Sequence, residues 1–197
     1  TRHTGVRPTI ADYRVAMNDP ETKALMREGR TIGCFYVESP AMIQLLRKLR
    51  TDSFEMLTAA SSIIRPGVAQ SGMMQAFIER YHDPSKINTP HPMLAKLLHS
   101  TFGVMVYQED VIKVAHIIGG LRLGEADLLR RAMSGKMRSK EAMRALKNSF
   151  LNGCLRNGVS DDASAEIWRQ MESFAGYSFC KAHSASYAVL SFQEAWL

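Results

Sequence analysis

Apolar residues along this chain recur three and four positions apart in short blocks, and each block is bounded by a capping residue, a Gly or a Pro. Side chains at that spacing share one face of a helix, whereas a half-buried strand needs strict alternation. The spacing predicts a mainly α chain, an irregular multi-helix domain with at most one or two short strands. Eight or nine helices follow. Pro20 opens the first, over Glu21 to Met26. Ser39 caps a second, with Pro40 in its first turn. Asp52-Ser53-Phe54-Glu55 resembles a capping box with Asp52 in the capping role, and its helix runs to about Ile64, where Arg65-Pro66-Gly67 breaks it. Leu94, Leu97 and Leu98 mark the next. Val111, Ile112, Ala115 and Ile118 form another face, ended by Gly119-Gly120. Leu128 with Ala132, and Leu129 with Met133, define a helix that Gly135 can stop. Met143, Leu146 and Phe150 mark one more. Ser160 caps a helix with Asp161 and Asp162 in its first turn and Ile167, Met171 and Phe174 on its buried face. Ala185, Val189, Phe192 and Trp196 are the expected buried face of the last.

Only Thr31 to Val37, β-branched and aromatic, reads as a strand. Residues 81–92, with Pro84, Pro90 and Pro92, read as a loop. Residues 1–30 are polar and loosely patterned, a leading segment from a preceding domain, which leaves 31–197 as the domain proper. Of the 197 residues, 46% are hydrophobic and 22% charged, enough apolar material to bury a core and too much for a disordered chain. No apolar run approaches the roughly 18 residues of a membrane span. The start, Thr1-Arg2-His3-Thr4-Gly5, lacks a signal peptide's apolar stretch, and the end stops inside a helical pattern. Both ends look cut, and the chain is expected to be a piece of a longer protein. Cys34, Cys154 and Cys180 are odd in number and widely spaced, which supports neither a zinc ribbon nor a thioredoxin-like site and fits a reducing cytoplasm. His82, His91 and His99 share a stretch that no Cys or paired carboxylate completes as a ligand set, so they read as surface and capping histidines. The 12 methionines are scattered through apolar faces and read as core filler.

The formal charge is +6, and its excess is local. Residues 122–147 hold eight basic side chains, Arg122, Arg130, Arg131, Lys136, Arg138, Lys140, Arg144 and Lys147, against Glu125, Asp127 and Glu141. Arg130, Arg131 and Lys136 fall at one helix's C-terminal end and the turn after it. Two readings stand. Cations there complement the helix dipole on a solvated face. Alternatively the planar forks of the arginines grip phosphate, one facing the anion while the other salt-bridges or takes a second oxygen.

A second candidate is the run from Phe174 to Tyr187, dense in small residues, hydroxyls and aromatics with Lys181 and His183 among them. Lys181 and Ser184 are one turn apart, as are His183 and Tyr187. An ammonium, an imidazole and a phenol on one region suit a nucleotide. A small-residue helix packing tightly, with His183 as a satisfied interior histidine, explains the same pattern.

Taken together these segments resemble a known family. Leu123-Gly124-Glu125-Ala126-Asp127-Leu128-Leu129-Arg130-Arg131-Ala132-Met133 is similar to a signature of the alpha subunit of bacterial DNA polymerase III, a C-family polymerase. Phe174-Ala175-Gly176-Tyr177 through His183 and Tyr187-Ala188 resembles a second. Three more blocks agree in order: Phe35 to Ser39, Arg65-Pro66-Gly67 with Ser71-Gly72-Met73, and Gly103 to Glu109. The resemblance covers residues from about 31 to 197 and implies the helical fingers domain, which closes over the incoming deoxynucleoside triphosphate and the templating base. It implies that Arg130 and Arg131 contact the triphosphate. It also implies that Tyr177, Lys181, His183 and Tyr187 line the nucleotide pocket, with Arg65 a further candidate. Lys136, Arg138, Arg144 and Lys147 would meet DNA phosphates, without sequence preference. The implied partners are primer–template DNA, deoxynucleoside triphosphates and, through the full-length chain, other polymerase III holoenzyme subunits in the bacterial cytoplasm, with no membrane.

This sequence departs from the family at Val68, where Pro is usual, and at Ser134-Gly135-Lys136, where Gly-Lys-Lys is common. Ser178, Cys180 and Ala182 replace Gly, Asn and Ser. Those changes suggest a divergent paralogue, an error-prone one tuned for damage-tolerant synthesis. Polymerisation needs carboxylates for two Mg2+ ions, in the family an Asp-x-Asp pair and a third Asp. The chain has no Asp-x-Asp. No catalytic residue and no Mg2+ ligand is therefore expected in it, and the isolated piece is expected to be inactive. The rival readings are a non-catalytic helical nucleic-acid-binding module and a purely structural helical domain.

Overall fold

Several helix starts in this protein coincide with hydroxyl or carboxylate caps, at Asp12, Asp19, Ser39, Ser53 and Ser160. In the computed structural model, which describes residues 12–64, 71–133, 140–173 and 179–197, eleven α-helices and two short 3-10 turns account for the regular structure, with no strand among the described residues. They fall into two compact units, residues 1–64 with 182–197 and residues 65–181.

The first unit contains α1 (Tyr13–Asn18), α2 (Pro20–Glu28), α3 (Pro40–Leu49), α4 (Phe54–Ile63) and nearly all of α11 (Lys181–Trp196). Asp19 caps α2 by accepting the Thr22 N–H at 2.7 Å. Ser39 caps α3 by accepting the Met42 N–H at 3.3 Å, with Pro40 first in the helix as expected. Met42, Leu45, Leu46 and Leu49 follow at helical spacing and are buried. Each such side chain contributes roughly 1.5–3 kcal/mol of transfer free energy. The cap of α4 is Ser53, whose hydroxyl accepts the Met56 N–H at 3.2 Å, and not Asp52 as the sequence suggested. Asp52 stands one residue too early for that bond and pairs instead with Arg27 at 3.5 Å.

Thr31 to Val37 is not a strand but a chain of turns. Tyr36 and Gly33 have positive φ (68° and 86°), which no strand accommodates. Cys34 N–H donates to Thr31 O, Val37 N–H to Cys34 O, and the Thr31 hydroxyl to Val37 O at 2.6 Å. With no strand to pair with among the described residues, the β-branched residues spend their backbone groups locally. Helix α11 ties onto this turn: Phe35 N–H donates to the Glu194 carboxylate, and the Ser191 hydroxyl donates to Phe35 O at 2.9 Å. The buried face of α11 is Ser184, Ala188, Ser191 and Phe192. Only Phe192 was on the expected face, since Ala185, Val189 and Trp196 are half-buried. The small-residue stripe wins because it permits close approach, and its hydroxyls are satisfied: Ser184 pairs with Ser62, and Ser191 also reaches Tyr187 O.

The second unit contains α5 (Met73–His82), α6 (Pro92–Leu97), α7 (Gln108–Ile117), α8 (Leu123–Arg131), α9 (Lys140–Arg156) and α10 (Asp161–Ser173). Together with α1, helix α5 takes the count past the nine that spacing predicts. Its start carries no side-chain cap signal, because Gly72 occupies the capping position. His91 caps α6 through Nδ1, which accepts the Met93 N–H at 3.3 Å. Ser160 caps α10 as expected, accepting the Ala163 N–H at 3.3 Å. Ile167 and Met171 are fully buried there, while Phe174 and Gly135 lie outside the described residues. Helix α7 packs chiefly on α8, and α9 on α10. The end of α7 meets α9 backbone to backbone: a Cβ on Gly153 would stand 1.7 Å from the Gly119 carbonyl oxygen.

Candidate functional site

The first turn of α7 is where the two sequence-predicted segments converge. Asp110 in that turn is buried, and one carboxylate oxygen accepts both the Val106 and the Tyr107 N–H at 2.9 Å. Burial raises the Asp110 pKa, with the two N–H bonds acting against it. This anchoring fixes Tyr107, Gln108 and Glu109. The Tyr107 phenol is itself pushed up by burial and by the neighbouring Asp110.

Gln108 reaches in two directions. Its amide oxygen accepts Nη1 of Arg130, at the end of α8, at 3.0 Å. Its backbone N–H donates to Phe179 O at 3.2 Å, two residues before α11. Both oxygens of Glu109 accept the N–H of Lys181, at 3.1 and 3.2 Å. The Lys181 ammonium lies 5.4 Å from the centre of the Tyr107 ring, a cation–π distance.

Asp127 organises the arginines. One of its oxygens accepts Nε of Arg130 at 2.9 Å, and the other pairs with Nε of Arg131 at 2.7 Å. The side-chain bond from Arg130 is the main reason this carboxyl titrates below its usual value. Both arginines sit in the last turn of α8, as dipole complementation requires. They differ in access: the Arg130 side chain is 22% exposed and the Arg131 side chain 61%. Arg130 is thus a fixed fork, and Arg131 offers donors to solvent or to an anion. The sequence left one arginine facing an anion and the other in a salt bridge or on a second anion oxygen. Here both share one carboxylate, reached three and four residues along the helix.

The other expected residues are distributed. Arg144 is exposed on α9, and the Lys147 ammonium lies 5.6 Å from the Trp168 ring centre. In the first unit, the His183 and Tyr187 rings lie 4.2 Å apart, and Tyr187 also meets Tyr36 at 4.9 Å and Phe35 at 5.1 Å. Arg65, Lys136, Arg138 and Tyr177 lie outside the described residues.

Sequence reasoning named none of Gln108, Glu109 and Asp127 as site residues. All three fall inside the family-like blocks, and Asp127 also shows the helical ion-pair spacing. Among the described residues no three His, Cys, Asp or Glu side chains form a metal-ligating group. Asp127 and Glu109 already engage two guanidinium groups and a backbone N–H, so they do not fit as Mg2+ ligands. No described helix is long and apolar enough to cross a membrane.

A family model described as the bacterial DNA polymerase III alpha subunit finger domain matches residues 2–158. DNA polymerase III subunit alpha of Pseudomonas aeruginosa is 39% identical over 198 residues, covering 98% of this chain and 17% of that protein. The proteins of the same name from Aquifex aeolicus and Campylobacter jejuni are 38% and 40% identical over 92% and 93% of the chain, and 15% of each is covered. The chain spans about one sixth of the length of these relatives.

Proposed function

The chain belongs to the finger-domain family of the bacterial DNA polymerase III alpha subunit, and on that premise we propose that it binds the incoming deoxynucleoside triphosphate and the template and positions them for template-directed DNA synthesis. The observation that carries the reading is the Arg130–Asp127–Arg131 arrangement, steadied by Gln108 in the turn that also receives Lys181. A half-buried guanidinium held by a carboxylate and an amide is preorganised, so little rotamer freedom is lost when an anion arrives. Arg131 is then the principal triphosphate donor, and Arg130 holds the geometry and adds charge. The family resemblance assigns nucleotide contact to Lys181, His183, Tyr187 and Tyr177, with Arg65 a further candidate. Arg144 and Lys147, with Lys136 and Arg138, contact DNA phosphates.

Cationic donors aimed at the triphosphate favour the charge that develops as the phosphoryl group transfers, and one such donor is often worth about 10²–10³ in rate. Fingers that close only on a correct pair couple selection to assembly of the site. Mg2+ supplies Lewis-acid and nucleophile-activating chemistry in such enzymes. Its ligands belong to parts of the polymerase outside this chain, together with the catalytic carboxylates and the holoenzyme contacts. The substitutions at Cys180 and Ala182 favour an error-prone paralogue. Misincorporation and lesion bypass equal to those of an ordinary replicative member would count against that assignment.

The test is steady-state primer extension by the full-length protein, comparing wild type with Arg130→Ala/Arg131→Ala over a range of deoxynucleotide concentrations. Loss of nucleotide-dependent turnover with primer–template affinity intact is the expected result. Turnover that survives while only salt-sensitive DNA binding falls would make the arginines a DNA-backbone face, as in a non-catalytic binding module.

A further inference from the structure

A second set of cationic donors in the 65–181 unit has no role in the site above. Arg80, in the last turn of α5, is half-buried, and its Nη1 and Nη2 donate to the carbonyl oxygens of Phe102 (3.2 Å) and Asn88. No carboxylate pairs with it among the described residues. Burial accordingly lowers its pKa, with Glu79 acting against that. Arg169 of α10 uses Nε and Nη2 on Glu166, both at 2.7 Å. A guanidinium has five N–H donors, so three remain on each arginine.

Both arginines line one pocket of about 180 Å³. Gln170 and the start of α5 at Ser71, Gly72 and Met73 complete its polar wall, and among the described residues no carboxylate lines it. Gly72 has no side chain with which to cap α5, so the positive end of that helix opens onto the same space, apart from a 3.4 Å contact from Met73 N–H to the Ser71 hydroxyl. The buried Met73 and Val104 side chains on the wall keep the local dielectric low, which strengthens any charge pairing there. The adjoining groove of about 500 Å³, which Arg80 also borders, carries Asp162 and Glu166 and is unsuited to an anion. A 180 Å³ pocket is below the roughly 300–1,000 Å³ of small-molecule sites, so it suits one anionic group rather than a whole nucleotide.

We propose that the pocket between Arg80, Arg169 and the start of α5 is a phosphate subsite, separate from the Arg130–Arg131 cluster, that takes either one phosphodiester of a DNA strand or a free phosphate. It shares no residue with the nucleotide reading and stands or falls without it.

The test uses the full-length protein with two probes: primer–template DNA followed by fluorescence anisotropy between 50 and 200 mM salt, and inorganic phosphate followed by ³¹P line width without DNA. Ala76→Glu sets a carboxylate in the pocket wall and leaves both arginines in place, and Arg169→Gln removes one exposed fork. If the ligand is a phosphodiester, each variant lowers the salt slope of DNA binding by about 0.9, an affinity loss about threefold larger at 50 mM than at 200 mM. If it is free phosphate, each abolishes ³¹P broadening and leaves DNA binding unchanged. Arg156→Gln, an exposed arginine outside the pocket, is the control for general charge. An equal slope change in that control, or no response of either probe in Arg169→Gln, overturns the proposal. Should Ala76→Glu fail to fold, Arg169→Gln and the control decide alone.

Discussion

Replacing Gly153 by Ala separates two opposed effects that the structure lets one weigh. Gly153 sits inside α9, where Ala is favoured over Gly by about 1 kcal/mol. Its added Cβ would stand 1.7 Å from the Gly119 carbonyl oxygen, whereas real Cβ contacts stay beyond 3.0 Å. The two backbones would have to part by roughly 1.3 Å, and the obstacle is main chain, which cannot swing aside as a side chain can. Gly119 itself packs against the fully buried Phe150, and Asn157 Nδ2 donates to Ile118 O at 2.9 Å, so the separation would strain a whole junction. Overpacking of this kind costs about 1–3 kcal/mol, and a backbone clash belongs at the upper end. After the propensity gain the net loss is about 2 kcal/mol, or roughly 4–8 °C in Tm for a domain of this size. Gly124→Ala is the matched comparison: it lies in α8 with nothing within 4 Å of the new Cβ, and should be neutral or stabilising by up to about 1 kcal/mol. Thermal unfolding followed by circular dichroism reads both. A Gly153→Ala protein that melts at or above wild type would refute the close backbone contact.

The buried Ser62–Ser184 pair gives a second check, since Ser184→Ala leaves a buried hydroxyl unmatched and should cost about 1–3 kcal/mol, while adding Ser62→Ala should recover part of that in a double-mutant cycle by urea unfolding. A third is pH dependence. Because Arg130 and Arg131 hold the Asp127 carboxyl below its usual 3.8, the unfolded chain binds the proton first as pH falls. The stabilisation from this carboxylate is therefore complete above pH 3.8 and is lost as pH falls through its lower folded value. Asp127→Asn should flatten that part of the acid-unfolding curve, and an unchanged curve would show that the two ion pairs do not act on stability.

Much of the architecture is legible residue by residue. The hydroxyls of Ser39 and Ser160, and the apolar repeats of α3 and α10, act over three or four positions, a range that linear order specifies. The Asp127–Arg130–Arg131 cluster belongs to the same class, because one helical turn brings its members together. Tertiary structure alone decided the rest. Gln108 finds Arg130 across 22 positions and Glu109 finds Lys181 across 72, distances over which spacing carries no signal. Thr31 to Val37 had strand-like composition but no partner strand among the described residues, so its backbone groups closed into turns. Beside Phe192, the buried stripe of α11 went to Ser184, Ala188 and Ser191 rather than to Val189 and Trp196, because close approach and a matched hydroxyl there outweigh side-chain hydrophobicity. Local capping and periodicity are short-range free energies written into the order of residues. Which helices touch, and through which atoms, depends on shape and hydrogen-bond satisfaction that exist only once the helices are packed.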